Sequence, residues 1–191
     1  MTLSGRNASL RLVEVADAAF IVDLRNSPRG RHLSPIGTDV RRQEDWIRSY
    51  KHREFRGEEF YFVICHRRAG DVGTLRMHDL DGDSFWWGSW IVREGAPTQA
   101  AVESFFLVYE LGFLAMNLER ARFVVRKDNL GPVGFHRRFG ATITGEDDSR
   151  LFLELRRDRY AIVRPRLARR FAPLPAEEEP EGLPADAAEA L

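Results

Sequence analysis

Cysteine is nearly absent from this chain: Cys65 stands alone among 191 residues. An internal disulfide and a cysteine-cluster zinc site are excluded, and the usage suits a reducing compartment. No run approaches the ~18 uninterrupted apolar residues of a membrane span, and residues 1–11 lack the basic-then-apolar order of a secretory signal. A cytoplasmic location without membrane contact is expected. Signature motifs are missing as well: there is no G-x-G-x-x-G, no P-loop, no G-x-S-x-G and no histidine pair at metal-ligand spacing. Most nucleotide-binding and hydrolase chemistries fall away, and no metal site is expected. Cys65 and His66 are neighbours in a predicted strand, so their side chains face opposite ways and do not make a nucleophile and base pair. Repeats of solenoid period are absent too.

Apolar residues are not scarce. At 43% hydrophobic and 11% aromatic, the chain can bury the core of one ordinary domain. A net charge of zero hides an asymmetry, because residues 171–191 (FAPLPAEEEPEGLPADAAEAL) hold six acids and no Lys or Arg. Such a Pro/Ala/Glu segment packs no core and is expected to be a disordered tail. Residues 1–170 form the expected domain, mildly basic and suited to an anionic ligand.

Residues 9–15 (SLRLVEV) alternate as a half-buried strand does, and Asp17 supplies an N-cap for a helix through Arg25. Ser27-Pro28 ends that helix, because a residue before proline is pushed out of the α region, and a loop follows. From Thr38 or Asp39 a second helix runs to Arg53, with Trp46, Ile47 and Tyr50 on one face and Glu44 spaced to pair with Arg48. Strands are predicted over 60–66, 72–78 and 84–92, and the Asp81-Gly82 between the last two is a hairpin signal. After Gly95 and Pro97 the period changes. Val102, Phe105, Phe106, Tyr109, Phe113 and Met116 recur at helical spacing, which demands a long helix ending near Asn117. Residues 120–126 (RARFVVR) read as a strand, making a strand-helix-strand crossover from 84 to 126. A short helix over 129–139 and a final strand or hairpin through Ile143 and Leu151 to Leu155 complete an α/β (α+β) fold. Its sheet is mixed, mostly antiparallel and flanked by helices.

Two stretches carry chemistry. In Trp86 to Ala101 a strand leads through a short loop into the long helix, and the unpartnered N–H groups of a helix start favour an anion such as pyrophosphate. The other stretch is N-L-G-P-V-G-F-H-R-R-F-G-A, running from Asn129 to Ala141 after the strand that ends near Arg126.

Element order and these stretches together resemble the GNAT superfamily of acetyl-CoA-dependent N-acetyltransferases over most of residues 9–155. The family's pyrophosphate loop, usually Q/R-x-x-G-x-G/A, is represented by residues 95–101, with alanines where glycines are common. Its N-x6-Y-x3-G-F helix is matched by Asn129, His136 and Gly140-Ala141. A narrower likeness, to bacterial members that acetylate nucleotide-linked aminosugars and to RimJ/RimL-like relatives, rests on Leu24-Arg25-Asn26-Ser27, Glu44-x-Trp46-Ile47 and Trp86-Trp87-Gly88.

The resemblance implies acetyl transfer from acetyl-CoA to the amine of a small molecule. A nucleotide-linked aminosugar is the expected acceptor, with a protein N-terminus or a noncatalytic acyl-CoA-binding role as alternatives. Trp90, Ile91, Val92, Thr98, Gln99, Ala100, Ala101 and Asn129 are the implied acetyl-CoA contacts, backbone N–H groups near Ile91 and Val92 holding the acetyl carbonyl. Arg25, Asn26, Trp46 and Trp86 are expected at the acceptor, although tryptophans suit a core equally well. His136 stands where many members have the tyrosine that protonates the departing thiolate. With an unperturbed pKa of ~6.5 against ~8.5 for a thiol, it must be charged to do so. His78, Asp79 and Asp83 are the candidate bases. An arginine run (Arg156, Arg157, Arg159, Arg164, Arg166, Arg169, Arg170) with Tyr160 as a stacking platform is the feature a nucleic-acid binder would use. No matching motif accompanies it, so no nucleic acid is expected, and the protein is read as a monomer or homodimer.

Overall fold

Alternating side chains through the middle of the chain produce three long neighbouring strands, and the rest of the fold is built outward from them. A computed structural model describes residues 1–129 and 131–173. The strands are β1 (Thr2–Ser4), β2 (Ala8–Leu12), β3 (Phe60–His66), β4 (Gly70–Asp81), β5 (Ser84–Val92), β6 (Arg120–Arg126), β7 (Thr142–Glu146) and β8 (Arg150–Arg156). They form one sheet in the order β1-β2-β3-β4-β5-β6-β8-β7. Every pairing is antiparallel except that of β5 with β6. β3, β5 and β6 have their expected bounds, and the Asp81-Gly82 hairpin closes with Asp81 opposite Ser84.

Helices α1 (Ala18–Asn26) and α2 (Val40–Phe55) cover one face of the sheet, where Ile21, Ile47 and Tyr50 pack on Val13, Tyr61 and Val63. Asp39 caps α2, its carboxylate accepting from the Arg41 and Arg42 amides, and Glu44 pairs with Arg48 at 3.2 Å. The other face carries α3 (Thr98–Tyr109), α4 (Gly131–Arg138) and α5 (Arg157–Phe171) over a larger core including Phe62, Leu75, Met77, Phe85 and Trp87. Each such side chain stabilises the fold by about 1.5–3 kcal/mol through burial.

Several expectations need correction. The first strand stops at Leu12, and β1, too short to show a period, pairs with it. Asp17 precedes α1 without capping it. Its carboxylate accepts instead from the Arg11 guanidinium at 2.8 Å and the Glu14 amide at 2.7 Å, closing a short 3₁₀ turn. The long helix keeps α geometry only to Tyr109. It then widens into a π-helical turn (Glu110–Ala115), within which Gly112 lies so close to Phe85 that a Cβ would meet the ring at 2.3 Å. Asn117 ends the segment in the left-handed region at φ 56°.

The arginine run belongs to the end of β8 and to α5, a helix whose sparse apolar positions escaped detection. Tyr160 is closed off from solvent and donates to Glu110 at 2.7 Å, so it offers no face for stacking. Arg164 holds the same carboxylate with two hydrogen bonds, 2.9 and 2.8 Å. Phe171, the first residue of the expected tail, ends α5 buried against Phe106. Residues 174–191 lie outside the described residues. Among the described residues no helix is long and apolar enough to cross a membrane.

Candidate active site

β5 and β6 run side by side for three pairs, Ser84 with Arg120, Phe85 with Ala121 and Trp86 with Arg122. Beyond Trp86 they pair no further, and the gap opens into a cleft of about 1190 Å³. β5 lines one side from Trp87 to Val92 and β6 the other from Phe123 to Arg126. Within this stretch β5 carries one residue more than β4, since Thr74 faces Ile91 while Arg76 faces Gly88. This bulge sits at Ser89, which takes φ 47°. A bulge locally breaks the ladder and re-aims the strand, so the backbone around Trp90 and Ile91 is turned where a ligand can meet it.

α3 begins at the mouth of the cleft. Its N-cap residue, Pro97, makes no side-chain cap, so the first helical N–H groups are left for a ligand, and Ala96, Thr98 and Ala101 line the opening. Gly95 turns the loop with φ 75° and has nothing within 4 Å of where a Cβ would stand. Ala100, by contrast, is fully buried in the core, and Gln99 is exposed beside the cleft without lining it. These features fit the pyrophosphate of a bound coenzyme.

Of the residues expected at the donor, Trp90, Ile91, Val92, Thr98, Ala101 and Asn129 therefore line one cleft. Trp90 is held by its indole N–H donating to Ser104 Oγ at 3.2 Å and by the Phe105 ring at 4.7 Å. His136 forms part of the floor. Its ring is packed among Trp87, Phe105, Phe123 and Phe135 at centroid distances of 5.5, 5.2, 4.3 and 5.6 Å. Burial in that aromatic box lowers its pKa to about 4, because a charge there loses its hydration. Burial thus opposes the imidazolium that the expected acid role requires.

The acceptor and base candidates lie elsewhere. His78 and Asp79 contact each other at 2.9 Å, and Asp83 is held by Arg120 at 2.5 Å; none of the three lines the cleft. Trp46 stacks on Tyr50 on the α2 face, between the guanidinium groups of Arg53 and Arg76 at 5.7 and 5.6 Å. Trp86 sits opposite His78, away from the cleft lining. Arg25 and Asn26 act at one remove: Arg25 Nη2 donates to the Ser34 carbonyl at 2.5 Å, and Asn26 Nδ2 to those of Val22 and Gly37 at 2.8 and 3.4 Å. Cys65 is not in the cleft either, and burial raises its thiol pKa to about 11.

Sequence reasoning overlooked the wall facing α3. A 3₁₀ turn (Pro28–His32) and the chain to Pro35 close the cleft and bring Arg29, Arg31 and His32 to it. Arg93, Arg126 and Arg150 join them. Arg126 and Arg150 are engaged by Asp128 and Asp147, but Arg29, Arg31 and Arg93 have no carboxylate partner among the described residues. Pro28 marks only the end of α1 in the sequence, and a loop has no period from which to infer where Arg29 and Arg31 point.

The model of the acetyltransferase (GNAT) domain matches residues 8–142. A solved structure described as apo FdhC, a nucleotide-linked sugar GNAT, is 38% identical, with TM-score 0.79 over 88% of this chain and 97% of that one. Two others share the fold alone. The ribosomal-protein-S5-alanine acetyltransferase of Vibrio fischeri has 15% identity and TM-score 0.69 over 83% of this chain and 97% of its own. Mutant forms of the spermidine/spermine N-acetyltransferase SpeG of Vibrio cholerae have 16% and 0.67 over 82% and 97%. No curated protein matches.

Proposed function

The chain belongs to the GNAT family of N-acetyltransferases, and we propose that it transfers acetyl from acetyl-CoA to the amino group of a nucleotide-linked aminosugar. The observation that carries the acceptor class is the 38% identity, over 88% of this chain, to a structure described as a nucleotide-linked sugar GNAT. Charge supports it. Arg29, Arg31 and Arg93 reach the cleft without carboxylate partners among the described residues, as a diphosphate-bearing acceptor requires.

Acetyl-CoA supplies a thioester whose carbonyl carbon a neutral amine attacks, forming a C–N bond as the C–S bond breaks and its electron pair passes to sulfur. The open start of α3 receives the phosphates of the donor. Backbone N–H groups of β5 near Ile91 and Val92 hold the carbonyl oxygen, where negative charge develops. Asn129 steadies the donor's arm from the end of β6. The aromatic floor of Trp87, Phe105 and Phe123 excludes water from the reacting centre. The proton of the attacking amine leaves to solvent through the open mouth of the cleft.

The test is a panel of amines incubated with acetyl-CoA while free thiol is measured. Nucleotide-linked aminosugars should turn over. Turnover of polyamines or N-terminal peptides, with every aminosugar inert, would reassign the acceptor.

A further inference from the structure

Ser89, at the bulge of β5, is one of three non-glycine residues with positive φ among the described residues. A residue other than glycine keeps that conformation only where its surroundings hold it. Thr74 on β4 supplies a contact of the needed kind. Its hydroxyl donates to the Ser89 carbonyl at 3.5 Å and accepts from the Tyr61 hydroxyl at 3.4 Å. Thr74 is 0% exposed and Tyr61 3%, so bulk water competes for neither group.

The direction of the two bonds follows from their chemistry. A carbonyl oxygen only accepts, so the threonine gives its proton to Ser89 and keeps lone pairs for the phenol, which donates. Packing alone asks for no hydroxyl at position 74. It lies opposite Val63 and Ile91, where valine would fill the same space, and a hydroxyl closed off from water is costly unless bonded. The carbonyl that Thr74 draws toward β4 shares a trans peptide with the Trp90 N–H, which therefore points away from β4. On that side β6 has parted from β5, and Trp90 lines the cleft.

We propose that Thr74, backed by Tyr61, is a positioning residue for the cleft: its hydroxyl pins the Ser89 carbonyl and so aims the Trp90 N–H into the open side of β5. Neither side chain lines the cleft itself. The pinning stands on the bulge alone, while its effect on turnover rests on the acetyltransferase reading above. In that reading the Trp90 N–H neighbours the backbone of Ile91 and Val92 that holds the acetyl carbonyl, and a turn of this peptide misplaces the thioester for attack.

Thr74→Val removes the hydroxyl at nearly constant volume, and Thr74→Ser restores it without the methyl group. In the full-length protein without substrate, the ¹³C resonance of the Ser89 carbonyl and the ¹⁵N resonance of the Trp90 amide should move in the valine variant and return toward wild type in the serine variant. With acetyl-CoA and a reacting aminosugar, kcat should fall about tenfold in Thr74→Val, with the acetyl-CoA KM near wild type, and Thr74→Ser should recover most of the loss. Wild-type resonances or a wild-type kcat in Thr74→Val, or a serine variant as impaired as the valine one, would overturn the proposal. Tyr61→Phe serves if Thr74→Val does not fold: it takes the donor from Thr74, so the same two resonances should move, and their constancy overturns the proposal equally. Should every aminosugar prove inert, the acceptor reading fails and the resonances still decide the pinning.

Discussion

Arg25 reaches from the last turn of α1 to the carbonyl of Ser34, 2.5 Å from its Nη2. That bond ties the cleft wall bearing Arg29, Arg31 and His32 to a rigid helix, while burial lowers the guanidinium pKa. A side chain expected to touch the acceptor instead holds a segment that lines the cleft. Arg25→Ala should raise the acceptor KM about tenfold, or 1.4 kcal/mol, and leave that for acetyl-CoA near wild type. Steady-state kinetics decide, and equal values for both substrates would show that the wall stands without Arg25.

His136→Phe keeps an aromatic ring in the box and removes the N–H. Loss of one donor aimed at developing charge costs about 10²- to 10³-fold in kcat, with acetyl-CoA binding nearly unchanged. Calorimetric affinity beside kcat is the check. A variant that turns over at the wild-type rate assigns the leaving-group role elsewhere.

The same histidine makes stability depend on pH. Its folded pKa of about 4 lies below the ordinary 6.5, so between those values the unfolded chain binds more protons than the folded one. Its contribution is complete above 6.5 and is lost as pH falls toward 4, to the extent of roughly 3 kcal/mol. Denaturant midpoints measured across that window should fall with acid in the wild type and fall less in His136→Phe. Parallel curves would mean that His136 ionises freely in the folded state.

Gly73 of β4 is packed so tightly against β5 that a Cβ would stand 2.3 Å from the Ile91 carbonyl oxygen and 3.1 Å from Val92 Cα. Gly73→Ala must therefore push the strand that lines the cleft. It should destabilise the protein by about 1–3 kcal/mol and weaken acetyl-CoA binding together with it. Thermal melting with and without the donor measures both, and unaltered binding would show that β5 keeps its place.

Acetyl-CoA at a hundredfold excess over Kd should stabilise the folded protein by ~2.7 kcal/mol, because only the folded state offers the cleft. Differential scanning fluorimetry shows this as a raised melting temperature. No shift with acetyl-CoA, free CoA or longer acyl-CoAs would remove the donor assignment.

Most of the architecture was legible because its elements have strong periods: β3, β5 and β6 were bounded to the residue, and α2 by its cap and ion pair. The features missed are those without a period. The bulge at Ser89 adds a residue that reads as ordinary strand, and the π turn after Tyr109 keeps enough helical spacing to pass as α. The junction of β5, loop and α3 that lines one side of the cleft was legible, since a strand-loop-helix junction is local in sequence. The opposite wall was not, because the aim of residues 28–35 depends on Arg25 and Asn26 bonding across to Ser34 and Gly37. His136 was found by its position, but its protonation depends on Trp87, Phe105 and Phe123, which come from three other elements.

The short parallel seam between β5 and β6 has a mechanical side. Among the described residues the ladder between β5 and β6, which joins the plate of β1 to β5 to the plate of β6, β8 and β7, has three residue pairs. The bonds of Asp83 to the Glu119 and Arg120 amides and to the Arg120 guanidinium, the crossover through α3 and the shared core beneath reinforce it. A sheet joined this way bends most easily about its seam, and a ligand lying in the cleft spans both plates like a wedge fixed to each side. Occupancy should then stiffen the molecule as a whole, slowing amide exchange on strands well away from the ligand, β3 and β8 included.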